Sequence, residues 1–123
     1  MHVRLYNFLE VQGLIFKNQF GFRKKHSTTH ALIDLTEDIR KAIDENKFAC
    51  GVFIDLQKAF DTVDHNILLK KLEHYGIRGI ANEWFRSYLT NRKQFVSISG
   101  FNSDIAPIDF GVPQGSVLGP LLF

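Results

Sequence analysis

The chain has 123 residues, of which 45% are hydrophobic and 23% charged, and its formal net charge is +2. That size allows one domain with a core of its own, and the composition is that of an ordinary globular protein. One cysteine, Cys50, excludes an internal disulfide, and no apolar run approaches the roughly 20 residues of a membrane span.

In chain order, Val3, Leu5, Tyr6, Phe8, Leu9 and Val11 have the spacing of a short amphipathic helix within 3–16, with Gly13 as its stop. The first thirty residues carry Arg4, Lys17, Arg23, Lys24 and Lys25 against Glu10 alone. That basic entry suits a polyanionic partner, and it also suits an ordinary charged surface. Ser27 or Thr28 caps a second helix whose core face is Leu32, Leu35, Ile39, Ala42 and Ile43, and Asp44 to Lys47 ends it.

Phe48 to Ile54 is apolar without alternation, which predicts a strand buried on both faces and Cys50 as a small core residue. Asp61 or Asp64 caps a third helix with Ile67, Leu68, Leu72 and Tyr75 inward, and Gly76 ends it. A fourth helix spans Ile80 to Leu89, with Trp84, Phe85 and Tyr88 as apolar anchors. Gln94 to Ser99 alternates as a half-buried strand, Gly100 to Ser103 turns, and Ile105 to Phe110 returns. Pro107 marks the return strand as an edge or a bulge. Gly111 to Gly115 is a rigid loop, and Ser116 caps a last helix. The terminal Leu121-Leu122-Phe123 reads as a chain cut within an element. The class is α+β.

Two stretches carry chemistry. Asp55 ends the expected buried strand, where a carboxylate is either a turn residue or a ligand for a hard divalent cation. Gly111-Val112-Pro113-Gln114-Gly115-Ser116 is a loop whose glycines and proline let a flat group approach, and Gln114 offers it both a donor and an acceptor. Of the remaining candidates, His26 and His30 stand four apart but have no third ligand at metal spacing. Arg92 and Lys93 are phosphate contacts or a solvated hairpin end.

Phe53 to Val63, with Asp55, Phe60 and Asp61, resembles motif A of reverse transcriptases. Gly111 to Pro120 resembles motif B. Gln19-Phe20-Gly21-Phe22-Arg23, with Ser27, Thr28 and Ala31-Leu32, resembles the fingers segment of the non-long-terminal-repeat (LINE-type) retrotransposon enzymes. The resemblance implies a partial right-hand polymerase fold with a central antiparallel sheet flanked by helices. About 1–47 would be fingers-like and about 48–123 palm-proximal.

It implies RNA-directed DNA polymerisation by two-metal phosphoryl transfer, with RNA template, DNA primer and dNTP as partners, Mg²⁺ (or Mn²⁺) as cofactor, and an intracellular setting. Asp55 matches the first catalytic aspartate and metal ligand, and the Leu56 carbonyl matches a backbone ligand. The N–H groups of Lys58 and Ala59 match those facing the triphosphate. Phe60 matches the steric gate against a ribose 2′-hydroxyl, and Gln114 matches a residue near the nucleotide sugar. Pro113 and Gly115 match the template-side wall, and Arg23 a nucleic-acid contact. Two ions need more than one carboxylate, and the sequence holds no Asp-Asp pair. The alternative is therefore a non-catalytic remnant, at most binding RNA through its basic first segment.

Overall fold

Helix α1 occupies His2–Val11 in the computed structural model, which describes residues 1–123. It stops where the sequence predicts. The N–H groups of Gly13 and Leu14 donate to the carbonyls of Glu10 and Leu9 at 3.0 and 2.9 Å, with Gly13 at φ +63°. These paired bonds satisfy carbonyls that the last turn leaves orphaned. Helix α2, Thr28–Asp44, ends in the same way, with Asn46 at φ +53° in the place of the glycine. Ser27 caps α2, its hydroxyl accepting from the His30 N–H at 3.4 Å.

The chain divides into two units, Met1–Leu56 and Gln57–Phe123. In the first, Leu5, Tyr6 and Leu9 of α1 are buried. The segment after α1 is tied back to it by Arg23. Its Nε and one terminal nitrogen donate to the two carboxylate oxygens of Glu10 at 2.9 and 3.1 Å, and its other nitrogen donates to the Phe16 and Lys17 carbonyls. Tyr6 donates its hydroxyl hydrogen to Glu10 as well, and accepts from the Lys24 N–H.

The Arg23 fork, and then the Tyr6 hydroxyl, hold the Glu10 carboxyl below the usual carboxylate range. A depressed folded value means the contribution is present above the ordinary glutamate range and is lost as pH falls through the depressed one. Acid titration of thermal unfolding is expected to show that loss in wild type and to lack it in Glu10→Gln. Identical acid profiles would exclude the clamp.

Two expectations for this unit are corrected. The apolar stripe of α2 is spaced as predicted, yet no α2 residue is buried, and Leu32 and Ile43 are 60% and 66% exposed. Periodicity decides which side chains share a face; a second surface decides whether that face is covered. The buried strand over 48–54 does not form: residues 47–56 carry no helix or strand, and Val52, Phe53 and Ile54 are 80%, 85% and 81% exposed. Cys50 is exposed with them. A strand buried on both faces needs hydrogen-bonded neighbours and covering layers, and no strand of this chain pairs with the segment.

The second unit opens with a 3₁₀ turn, Ala59–Thr62, followed by α3, His65–His74, and α4, Ile80–Leu89. Asp64, not Asp61, caps α3, accepting from the Asn66 and Ile67 N–H groups at 2.8 and 3.0 Å. Leu68, Leu69 and Leu72 of α3 are buried, as are Ile77 and, on α4, Phe85 and Leu89, while Ile67 and Tyr75 stay exposed. Each such fully buried side chain contributes about 1.5–3 kcal/mol. Asn82 Nδ2 donates to the carbonyls of Leu69 and Ile77, tying the start of α4 to α3 and to the connection. Of the expected α4 anchors only Phe85 is buried; Trp84 is exposed and stacks on Tyr88, with ring planes 7° apart.

A hairpin follows. β1 (Arg92–Gln94) pairs antiparallel with β4 (Ala106–Ile108), and β2 (Ser97–Ile98) with β3 (Phe101–Asn102). The two ladders are out of register by one residue, so the return strand carries a bulge between them. Ser103 fills the break, its Oγ accepting from the Val96 N–H at 2.9 Å. Pro107 lies opposite Lys93 in the outer ladder. The expected half-burial of Gln94 to Ser99 is absent, Phe95, Val96 and Ile98 being exposed, because no layer covers this two-stranded ribbon. The architecture is thus helices with two small antiparallel ladders, not a central sheet. No helix is long and apolar enough to cross a membrane. The short α5, Gly119–Leu122, closes the unit, and Ser116 Oγ accepts from its first N–H, that of Gly119, at 3.0 Å.

Candidate functional site

The second unit brings residues 58–65 against residues 110–114. Lys58, at φ +53°, turns the chain into the 3₁₀ turn. The Val112 N–H donates to the Phe60 carbonyl and the Gly111 N–H to the Val63 carbonyl, both at 2.8 Å, and Asp64 bridges Phe110. His65, 6% exposed, places Nε2 at 2.7 Å from the Gly111 carbonyl. A carbonyl only accepts, so Nε2 of His65 is the donor in this bond. Gln114 Nε2 donates to Asp61 Oδ1 at 2.9 Å.

The approach of the two segments is close enough to dictate residue type. Gly111 has φ +87°, and a Cβ there would stand 2.9 Å from both the Cα and the carbonyl oxygen of Asp61. Only glycine allows both the conformation and the contact.

Beside this junction lies a cleft of about 540 Å³, lined among others by Asp61, Arg92, Gln94, Phe110, Pro113 and Gln114. Arg92 is half-buried and also sits over the Tyr88 ring, 5.6 Å from its centroid. Phe60 is half-buried with its ring centroid 4.9 Å from that of Phe123. The N–H groups of Lys58 and Ala59 donate to no other group of the chain, as expected at the start of a helical turn. Pro113 is half-buried, and Gly115 is exposed at φ +74°.

Of the sequence-predicted residues, Lys58, Ala59, Phe60, Pro113, Gln114 and Gly115 fall in the second unit. Asp55 and Leu56 close the first, and Arg23 lies earlier in it. The Asp55 carboxylate is exposed on an irregular segment, a correction to the rigid, water-excluded strand end predicted for it. Arg23 commits all three of its guanidinium nitrogens to Glu10, Phe16 and Lys17. His26 and His30 meet edge to face, and His26 Nδ1–H donates to the Lys24 carbonyl.

No three His, Cys, Asp or Glu side chains gather where they could hold a metal ion. Asp55 and the Leu56 carbonyl offer the hard oxygens a divalent cation takes, but too few of them for a complete site. Sequence reasoning missed two residues of the junction: His65, and Asp61 in its bond to Gln114. Their partners stand 46 and 53 residues away, beyond the reach of any local pattern.

The chain is 40% identical over 98% of its length to the RNA-directed DNA polymerase from mobile element jockey of Drosophila melanogaster. It is 37% and 35% identical, again over 98%, to the probable RNA-directed DNA polymerases from transposon BS and transposon X-element of the same fly. It spans 13% of the length of each of these relatives. No solved structure matches it. The family model described as "Reverse transcriptase (RNA-dependent DNA polymerase)" matches residues 1–123, and this chain belongs to the reverse transcriptases.

Proposed function

We propose that this chain forms the fingers and the nucleotide-facing part of the palm of an RNA-directed DNA polymerase of a LINE-type mobile element. In the intact enzyme it takes RNA template, DNA primer and dNTP and extends the primer. The observation that carries this reading is the hydrogen-bonded junction of the Phe60 turn with the Gly111–Gln114 loop. It sets an aromatic ring, free backbone donors and an amide on neighbouring elements of one unit.

Lys58 and Ala59 present N–H groups to the triphosphate, Phe60 bars a 2′-hydroxyl, and Gln114 meets the sugar. Pro113 and Gly115 shape the template side. Asp55 and the Leu56 carbonyl would contribute oxygens to two Mg²⁺ ions, with Mn²⁺ as a substitute, and such ions would neutralise charge on the reacting phosphate. One carboxylate does not hold two ions, so further ligands must come from outside these residues. Arg23 serves the template side by shaping its segment, since its guanidinium is engaged with Glu10.

The test is primer extension with the full-length protein that carries this segment. Phe60→Ala is expected to raise ribonucleotide incorporation relative to deoxynucleotide by roughly tenfold or more, the scale of a steric pocket's discrimination. Unchanged selectivity would remove Phe60 from the gate. The single carboxylate favours a second reading, a non-catalytic segment binding RNA through Lys17, Lys24 and Lys25. It requires that Asp55→Ala leave RNA affinity unchanged or slightly higher and that the full-length protein extend no primer.

A further inference from the structure

We infer that Asp61 is a positioning residue that fixes which end of the Gln114 amide faces the cleft; the inference rests on the reading of Gln114 as a nucleotide contact. An amide has two dissimilar ends, and an unheld glutamine presents either. An ionised carboxylate accepts and never donates, so Gln114 must turn Nε2 toward Asp61 Oδ1, at 2.9 Å. The carbonyl oxygen Oε1 is then the end left for a ligand, with the second N–H beside it. A group held this way selects a partner that offers a hydrogen, such as a sugar hydroxyl.

Asp61 is well placed for this work. Gly111 comes so close that a Cβ would strike Asp61's backbone, and the Gly111 carbonyl is held by buried His65. The Val112 and Gly111 N–H groups grip Phe60 and Val63 on either side of Asp61. The carboxylate therefore sits on backbone anchored from both segments, and both partners of the bond line the same cleft. A cap was the ordinary job for Asp61, but Asp64 caps α3, which leaves the Asp61 carboxylate to Gln114.

Two measurements test this. The first needs no nucleotide: an NMR spectrum of this chain labelled with ¹⁵N-glutamine. The Gln114 side-chain amide is expected to show one proton shifted downfield, and Asp61→Ala is expected to move it to the position of the Gln12, Gln57 and Gln94 amides. A wild-type Gln114 amide already at that position would overturn the inference, whether or not the protein polymerises.

The second uses the full-length polymerase. Asp61→Ala is expected to raise KM for a deoxynucleotide about five- to tenfold, the scale of one hydrogen bond to a charged group, with little change in kcat. Gln114→Ala is expected to match it, the double variant to be no worse than Gln114→Ala alone, and Asp61→Asn, which keeps an acceptor, to recover most of the loss. Additive losses in the double variant would mean that Asp61 acts independently of Gln114 and would overturn the inference. A wild-type enzyme that extends no primer would count against the polymerase reading instead, with the spectrum still deciding the Asp61–Gln114 geometry.

Discussion

Asp55→Ala in the full-length protein is expected to reduce primer extension by roughly a thousandfold or more while leaving RNA affinity within about twofold of wild type. Charge stabilisation by metal ions at a reacting phosphate is worth several kcal/mol, and each 1.36 kcal/mol is about a factor of ten in rate. Binding of template comes mainly from lysine and arginine contacts with phosphates, which the substitution does not touch. Stability should be unaffected, because the Asp55 side chain is exposed on an irregular segment. Extension at the wild-type rate would remove Asp55 from the reaction. Equal losses of extension and RNA binding would assign it to folding or docking rather than to chemistry.

Gly111→Ala is expected to destabilise the chain by about 3 kcal/mol or more. The positive φ of +87° carries one part of that cost, and the 2.9 Å approach of a Cβ to the Asp61 backbone carries the larger part. A left-handed conformation costs a non-glycine residue about 1–2 kcal/mol, and overpacking against atoms that cannot move away costs about 1–3 kcal/mol more. Gly115→Ala is the control. It has a similar φ of +74° and nothing within 4 Å of the added methyl, so it should cost only the conformational part, about 1–2 kcal/mol. Urea unfolding of the two variants separates the terms. Equal costs would show that Asp61 and Gly111 are not in close contact in solution, and the junction would then not be the rigid frame on which Phe60 and Gln114 are held.

The contrast between these two glycines marks the limit of local reading. Both stand in one loop, both have positive φ, and composition alone cannot tell which one is crowded. The crowding comes from Asp61, fifty residues earlier in the chain and brought there by the ladder of bonds from Phe60 and Val63. The same limit separated the two expectations for Asp61 and Asp64. Either aspartate has the chemistry of a cap, and only the fold sends one to α3 and the other to Gln114.

What was legible from the chain alone was much of what a helix decides within a turn of itself. The helix starts were readable to within a pair of residues, Ser27 or Thr28 and Asp61 or Asp64, because such short side chains reach backbone N–H groups two or three residues on; the fold uses Ser27 and Asp64. Gly13 and Gly76 end them because the left-handed residue after the last turn returns two N–H groups to orphaned carbonyls. Membership of the reverse transcriptases was likewise readable. Burial was not. The apolar run 48–54 and the stripe Leu32, Leu35, Ile39 and Ile43 have the patterns of a buried strand and a packed helix face, and both are exposed. Pattern states what a segment can bury, whereas burial and strand pairing require another surface or edge, and the long-range contacts of this fold form elsewhere. Tertiary structure alone decided that the Phe60 turn meets the Gly111 loop, and so which side chains stand together at that junction.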